Sequence, residues 1–399
     1  METKYPNFES AAFLNAHIHD TLAFYEPRIY APEGGFYGCF LDDGACYDPK
    51  SRHLVASARY VLNYATAYEF YGTPKYKAWA EWGLDYLQNA HRQENGHYAW
   101  LLEEDEITDK RVMAYGHAFV LLAAASCAKA GIGKASEIMG TLYDFVDTYF
   151  WDETAHAYFD ERDDTLQTLS PYRGQNANMH MCEALLAAYQ ASGDMKYLFR
   201  AKVLANKFAF DLAAQSGGQI WEHYDAHWNV DMNFNIDKPN DRYKPWGFQP
   251  GHQTEWTKLL LILNDVSPDK KWIQRAKSLY DKALATGWDK AFGGIAYGVA
   301  PDGSFCASEK YFWVQSESFA AAWRLYLATG DNKYRDDYNR IWQWSWDHMI
   351  DHQYGAWFRV RGRNGGPIDN KKSPFGKTDY HTMGACWDVL AVQEIEKEI

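Results

Sequence analysis

A short cassette recurs six times along this chain: a small residue, one or two aromatics, then a polar turn. It reads Gly34-Gly35-Phe36-Tyr37, Gly96-His97-Tyr98, Ala157-Tyr158-Phe159, Gly217-Gly218-Gln219-Ile220-Trp221, Gly293-Gly294-Ile295-Ala296-Tyr297 and Gly355-Ala356-Trp357-Phe358. With the small residue as ruler the marks fall at 35, 96, 157, 218, 294 and 355, so four steps are 61 residues and one is 76. A period this constant restricts the chain to a repeat architecture, stacked as an open array or closed into a ring.

Each interval between cassettes holds two segments of helical character, the first almost wholly apolar and the second apolar on one face only. They are expected at 52–71 and 75–92, 111–130 and 134–150, 176–192 and 196–214, 251–264 and 270–286, 309–328 and 333–350, and 380–398, with 8–30 supplying the missing partner. Joints such as Ser192-Gly193-Asp194 and Thr329-Gly330-Asp331 place Gly where one helix closes and Asp where the next opens. Twelve helices in six hairpins predict an all-α (α/α)6 barrel, with the apolar helices as an inner ring and short aromatic loops or β-hairpins between repeats. One register running through the chain argues for a single catalytic domain over 1–399. An open solenoid is the competing arrangement, and the N-terminal helix that completes the sixth pair favours closure.

Composition narrows the function classes. With 40 basic against 53 acidic residues the net charge is −13, which disfavours nucleic acid and anionic membranes as partners. No apolar run approaches the roughly 18 to 20 residues of a membrane span, and Met1-Glu2-Thr3-Lys4-Tyr5-Pro6 lacks the pattern of a secretory signal. A soluble, cytoplasmic protein is expected, with a homo-oligomer compatible with the sequence. The six cysteines have no paired short spacing and read as free, mostly buried thiols. Seventeen Trp and 29 Tyr are mostly core, though aromatic faces also suit sugar rings.

The apolar helices carry polar residues near their starts, where packing alone would not put them. These are Arg59, Tyr115 and His117, Asn176 and His180, His252 and Glu255, Glu317, and His381. In a closed barrel such positions converge on one mouth of the central cavity, and buried charges there must pair with one another or with a ligand. Any one of them could be a satisfied core group; six repeats in phase are hard to assign to packing. The surplus of the 76-residue step falls at 229–249, is rich in Asn, Asp and Pro, and contains Arg242. It reads either as a tolerated surface insertion or as a loop over the mouth, and its place before His252 favours the second.

Asn176 and His180 are four apart and His252 and Glu255 three apart, so each pair shares a helix face. A carboxylate beside an imidazole raises its basicity and sets its tautomer, as a proton-transferring histidine requires. His180-x-x-Glu183 and His252-x-x-Glu255 could also be read as metal ligands, but His-Glu-x-x-His is absent, so that signal is weak. No phosphate-binding glycine loop and no Gly-x-Ser-x-Gly occurs, so no nucleotide cofactor or serine nucleophile is indicated.

The strings Arg173-Gly174-Gln175-Asn176-Ala177-Asn178-Met179-His180, Pro250-Gly251-His252-Gln253-Thr254-Glu255-Trp256 and Asp379-Tyr380-His381 resemble the N-acylglucosamine 2-epimerase superfamily. The resemblance spans essentially the whole chain and is nearest to the aldose-ketose isomerase branch. It implies an (α/α)6 barrel and proton transfer on a monosaccharide substrate without metal or other cofactor, interconverting D-mannose and D-fructose, with D-lyxose and D-xylulose as further substrates. By that resemblance His381 takes the C2 proton, His252 assists ring opening from the opposite side and Glu255 orients His252. Arg59 steadies the enediolate oxygen, and Tyr115, Asn176, His180, Arg242 and Glu317 hold hydroxyls, with Trp313 at an aromatic position of the epimerase branches. Because both histidines are present, 2-epimerisation of a glucose- or mannose-type sugar stays open. An (α/α)6 glycoside hydrolase using Glu255 and Glu317 as acid and base, and a non-catalytic sugar or protein binder, are the other classes.

Overall fold

The computed structural model describes residues 4–104 and 106–398. Met1, Glu2, Thr3, Asp105 and Ile399, which the sequence reading takes as part of the same unit, lie outside them. Among the described residues twelve α-helices follow one another in chain order. They are α1 (Ala11–Tyr25), α2 (Leu54–Tyr71), α3 (Pro74–Tyr86), α4 (Ala114–Lys129), α5 (Ala135–Phe150), α6 (Gln175–Ser192), α7 (Met195–Asn206), α8 (Pro250–Val266), α9 (Lys270–Gly287), α10 (Phe312–Thr329), α11 (Asn332–His348) and α12 (Tyr380–Glu398).

Helices α2, α4, α6, α8, α10 and α12 pack side by side in that order, and α12 returns to α2, so the inner ring closes. Each inner helix is backed by one outer helix: α3 on α2, α5 on α4, α7 on α6, α9 on α8, α11 on α10 and α1 on α12. This is the expected (α/α)6 barrel. The patterning accounts for the sorting: α4 is buried around nearly its whole circumference, whereas α5 buries Met139, Leu142, Phe145 and Val146 and exposes its other side. Among the described residues no helix is long and apolar enough to cross a membrane. All six cysteines are free, four of them buried.

The inner helices begin two to three residues later than their apolar patterns in several repeats, because the chain first joins a neighbour as a strand. Ser51–His53 pairs with Leu101–Glu103, Val112–Met113 with Glu161–Arg162, Arg173–Gly174 with His223–Tyr224, and Lys310–Tyr311 with Val360–Arg361. Single bridges, Phe248 to Val299 and Phe40 to Ser373, join the two remaining neighbours. The six loops that lead into the inner helices are thus stitched into a circular belt around one end of the barrel. Two outer helices end in a wider turn instead of running on, at Leu87–His91 after α3 and at Lys207–Leu212 after α7.

The cassette is the turn that brings each outer helix back toward this belt. Its left-handed residue is Gly35, Gly96, Gly218, Gly294 and Gly355, with φ from 65° to 94°. In the third repeat it is His156 (φ 59°), not Ala157, which lies in a strand; the third mark of the sequence ruler therefore moves by one residue. At Gly294 a Cβ would stand 2.7 Å from the Trp344 ring, so close packing and backbone geometry both demand glycine there.

Four inner helices hold the cassettes in place with the same position, their fourth residue. His117 Nε2 accepts from the Tyr98 backbone N–H at 3.1 Å. The amides of Asn178, Gln253 and Gln315 each bond both the N–H and the C=O of Tyr158, Ile220 and Ile295, respectively. His117, placed by its spacing among the residues of the mouth, belongs to this bracing set; its Nδ1 meets the Met113 carbonyl at 2.8 Å.

Candidate active site

The N-termini of the inner helices open on a cavity of about 260 Å³. Arg59, Tyr115, Asn176, His180, Arg242, His252, Glu255, Trp313 and His381 all line it, so nine of the ten residues to which the family resemblance gives a role meet there. Glu317 does not. The roof comes from two loops: Asn240, Arg242 and Tyr243 from the long 229–249 segment, and Phe375, Gly376 and Lys377 before α12.

The electrostatic setting follows from the helix ends. Helices α4, α6, α8 and α10 have no side-chain hydrogen bond at their N-caps and no acidic residue in their first turns. The first N–H groups of α4, α6 and α10 are taken by the carbonyls of Asp160, Glu222 and Arg359, and α8 starts on Pro250, which has none; the positive ends of the four dipoles face this end of the barrel, a setting that favours negative charge developing on a ligand.

His381 is the second residue of α12 and is buried. Its Nδ1 lies 2.8 Å from Glu317 Oε1, so the proton sits on Nδ1 and donates to the carboxylate. Nε2 then carries a lone pair, and Arg59 Nη2 stands 3.3 Å from it. Burial pushes this imidazole well below its ordinary value, and the Arg59 charge pushes it the same way. Arg59 is itself clamped between the rings of Phe119 and Tyr380, 4.2 and 4.8 Å from their centroids, and bonds the Gly376 carbonyl and the Tyr115 hydroxyl.

His252, the third residue of α8, has its Nδ1 2.9 Å from Glu222 Oε1. Gln175 donates its amide to the same carboxylate at 3.0 and 3.2 Å and accepts from Trp256 Nε1 at 2.8 Å. The Trp313 ring lies against both catalytic candidates, 4.9 Å from the His252 ring and 5.8 Å from that of His381.

Several buried polar atoms on the cavity wall have no hydrogen-bond partner among the described residues: Asn176 Oδ1, Arg59 Nε and both oxygens of Glu255. Such atoms are costly unless a ligand meets them, and a polyhydroxylated ligand is the kind that meets several at once. Burial drives the Glu255 carboxyl well above its ordinary value, reinforced by the charge of Glu317. The ligand-capable atoms of His180, Glu183 and Glu255, and of Glu255, Glu317 and His381, lie within 4.8 Å of one another in each trio. Two cations already serve these groups: Lys258 Nζ at 2.5 Å from Glu317 Oε2, and Arg59 beside His381.

The model of the N-acylglucosamine 2-epimerase (GlcNAc 2-epimerase) family matches residues 35–385. The chain belongs to this family. It is 49% identical over 387 residues to a D-mannose isomerase of Marinomonas mediterranea, covering 97% of this chain and 98% of that one. A crystal structure of D-mannose isomerase superposes with a TM-score of 0.96 at 48% identity, covering 98% of this chain and all of that one. The cellobiose 2-epimerase structure from Bacillus thermoamylovorans shares the fold, with a TM-score of 0.84 at 19% identity over 96% and 100% of the two chains. As a member of the N-acylglucosamine 2-epimerase family the protein is an isomerase.

Two of the expected placements are corrected in this family member. Glu255 does not orient His252: it lies on the cavity wall 3.8 Å from His180 Nδ1, and Glu222 takes the place expected of it. Side chains on a helix lean toward its N-terminus, so His252 in the first turn reaches out to the rim while Glu255, one turn deeper, meets the floor. Glu317 does not face a hydroxyl: it stands behind His381, between that imidazole and Lys258. Glu222, Gln175 and Lys258 were missed. Glu222 directly follows the fourth cassette, and an acid inside an aromatic string was the one visible sign of it.

Proposed function

We propose that this isomerase interconverts D-mannose and D-fructose, with D-lyxose and D-xylulose as further substrates, by moving a proton between C2 and C1 of the open-chain sugar through a cis-enediol. The observation that carries the reading is the pairing at His381: a lone pair on Nε2, a carboxylate behind Nδ1, and an arginine beside the lone pair. The 49% identity to a D-mannose isomerase supports the choice of sugar.

In this reading His252 with Glu222 passes the proton that opens the pyranose ring. His381 Nε2 removes the C2 proton, and Arg59 together with the inner-helix N-termini stabilises the enediolate oxygen. Returning the proton to C1 gives the ketose. Asn176, Tyr115, His180, Arg242 and neutral Glu255 hold hydroxyls, Trp313 packs against the carbon skeleton, and the reaction draws on no metal or redox cofactor. A sugar 2-epimerase is the second reading, because His252 and His381 both contact Trp313 and face one cavity.

Proton NMR of D-mannose with the enzyme in D2O tests both. Fructose carrying deuterium at C1 is the expected product, and glucose as the main product would select epimerisation. His381→Asn is expected to slow deuterium exchange at C2 by about 10² to 10⁴. Exchange at the wild-type rate would remove His381 from the role of base.

A further inference from the structure

The contacts behind His381 continue past its carboxylate. Glu317 Oε1 accepts from His381 Nδ1 at 2.8 Å, and its Oε2 lies 2.5 Å from Lys258 Nζ. Lys258 sits one turn beyond Glu255 on α8, with 9% of its side chain exposed. It does not line the sugar cavity. It borders instead a second cavity at the opposite end of the barrel, whose floor is made by Glu183, Lys258, Glu317 and Tyr380.

The charged and titratable groups around this chain come from every inner helix. They are Arg59 from α2, Tyr115 from α4, His180 and Glu183 from α6, Glu255 and Lys258 from α8, Glu317 and Arg324 from α10, and Tyr380, His381 and Asp388 from α12. Arg324 is tied to Asp265 at 2.7 Å and to Asp388 at 2.5 Å; this trio keeps one negative charge, and Asp388 also favours the charged form of Lys258. Glu183 is bonded to His180 at 2.9 Å and to the Tyr380 hydroxyl. Three carboxylates, Glu183, Glu255 and Glu317, therefore share two cations, Lys258 and Arg59. With Glu255 protonated the buried set is neutral. Without Lys258 it would carry a surplus negative charge that only another proton could relieve.

We propose that Lys258 is a positioning residue for the catalytic base: its ammonium holds Glu317 as a carboxylate, and that carboxylate keeps the His381 proton on Nδ1 and the lone pair on Nε2 toward the sugar. The inference rests on His381 being the base. Burial pushes the Glu317 carboxyl up, and the adjacent Lys258 charge pulls it back down. When Lys258 is removed, a proton enters the Glu317 and His381 pair at higher pH. If it lands on the imidazole, Nε2 is protonated. If it lands on Glu317, the acid donates to Nδ1 and the imidazole proton moves to Nε2. Either way the lone pair is lost, so both routes switch off the same step.

The test is the pH profile of kcat/KM for mannose in Lys258→Met, with Lys258→Gln as a second variant should the first not fold. The acid limb is expected to move to higher pH by about one unit or more, the usual scale for losing an opposite charge at this range. Lys258→Arg, which keeps the charge, is expected to leave the limb in place. The imidazole carbon resonance that disappears in His381→Asn reports the same titration without turnover and is expected to move with the limb. A slower enzyme whose limb and resonance both stay where they are in the wild type would overturn the proposal, leaving Lys258 a packing residue. Wild-type C2 exchange in His381→Asn would instead overturn the assignment of the base.

Discussion

Two of the imidazoles on the cavity wall, His381 and His252, lean on carboxylates that differ in what stands behind them. At His381 the carboxylate of Glu317 leans on the Lys258 ammonium, and Arg59 flanks the free nitrogen. At His252 the carboxylate of Glu222 is met by the neutral amide of Gln175. A proton arriving on His381 adds a third positive charge beside Lys258 and Arg59. In the proposed reaction the same two side chains serve as base in one place and as ring opener in the other, and the cations beside His381 are what sets the two apart.

The comparison can be broken in two places. Glu317→Gln, which leaves a neutral partner behind the base, is expected to lower kcat for mannose by about 10²-fold. Glu222→Gln is expected to cost less, about tenfold, because ring opening also proceeds without the enzyme's help. Steady-state kinetics of the two variants side by side decide it: equal losses would mean that the pairs are interchangeable and that the cations play no part.

A histidine that meets backbone in place of a carboxylate supplies the reference. Burial pushes His117 down to about 4, from an ordinary 6.5. The unfolded chain takes up this proton below 6.5 and the folded one only near 4, so stability present above 6.5 is lost as pH falls through that window. His117→Gln, the side chain that braces two other repeats at this position, is expected to keep the bond to the Tyr98 N–H and to stay within about 1 kcal/mol of the wild type at pH 7. Its melting temperature is then expected to fall less than that of the wild type between pH 6.5 and 4. An unchanged slope would show that other buried groups carry the acid sensitivity.

The repeat made the barrel and the level of its site readable from sequence, because packing alone does not set a polar side chain at the same phase of six apolar helices. Spacing along a helix told which residues share a face but not which end of the face each reaches, and this misplaced Glu255; the place given to Glu317 came from the family resemblance, which does not show that a carboxylate on α10 stands behind His381. Glu222 lies 30 residues before His252, on the far side of a loop. The two-residue pairing of Arg173–Gly174 with His223–Tyr224 that brings that loop alongside is too short to leave an alternating pattern. Lys258 carries no mark of its own in the sequence, since its meaning depends on a glutamate from α10. The bracing residues Asn178, Gln253 and Gln315 share a position in their helices, but their partners are backbone atoms that no residue pattern marks.

The circular belt of short strands has uneven seams. Four junctions are two- or three-residue ladders, and the remaining two are single bridges, Phe248 with Val299 and Phe40 with Ser373. Those two lie beside the segments that carry Arg242 and Phe375 over the cavity. A change of length at either hem breaks one bridge, whereas at the other four junctions it would break a ladder. The two pieces of collar that roof the cavity are thus the ones held by the fewest stitches, while the helix ends beneath them are fixed by the ladders on either side.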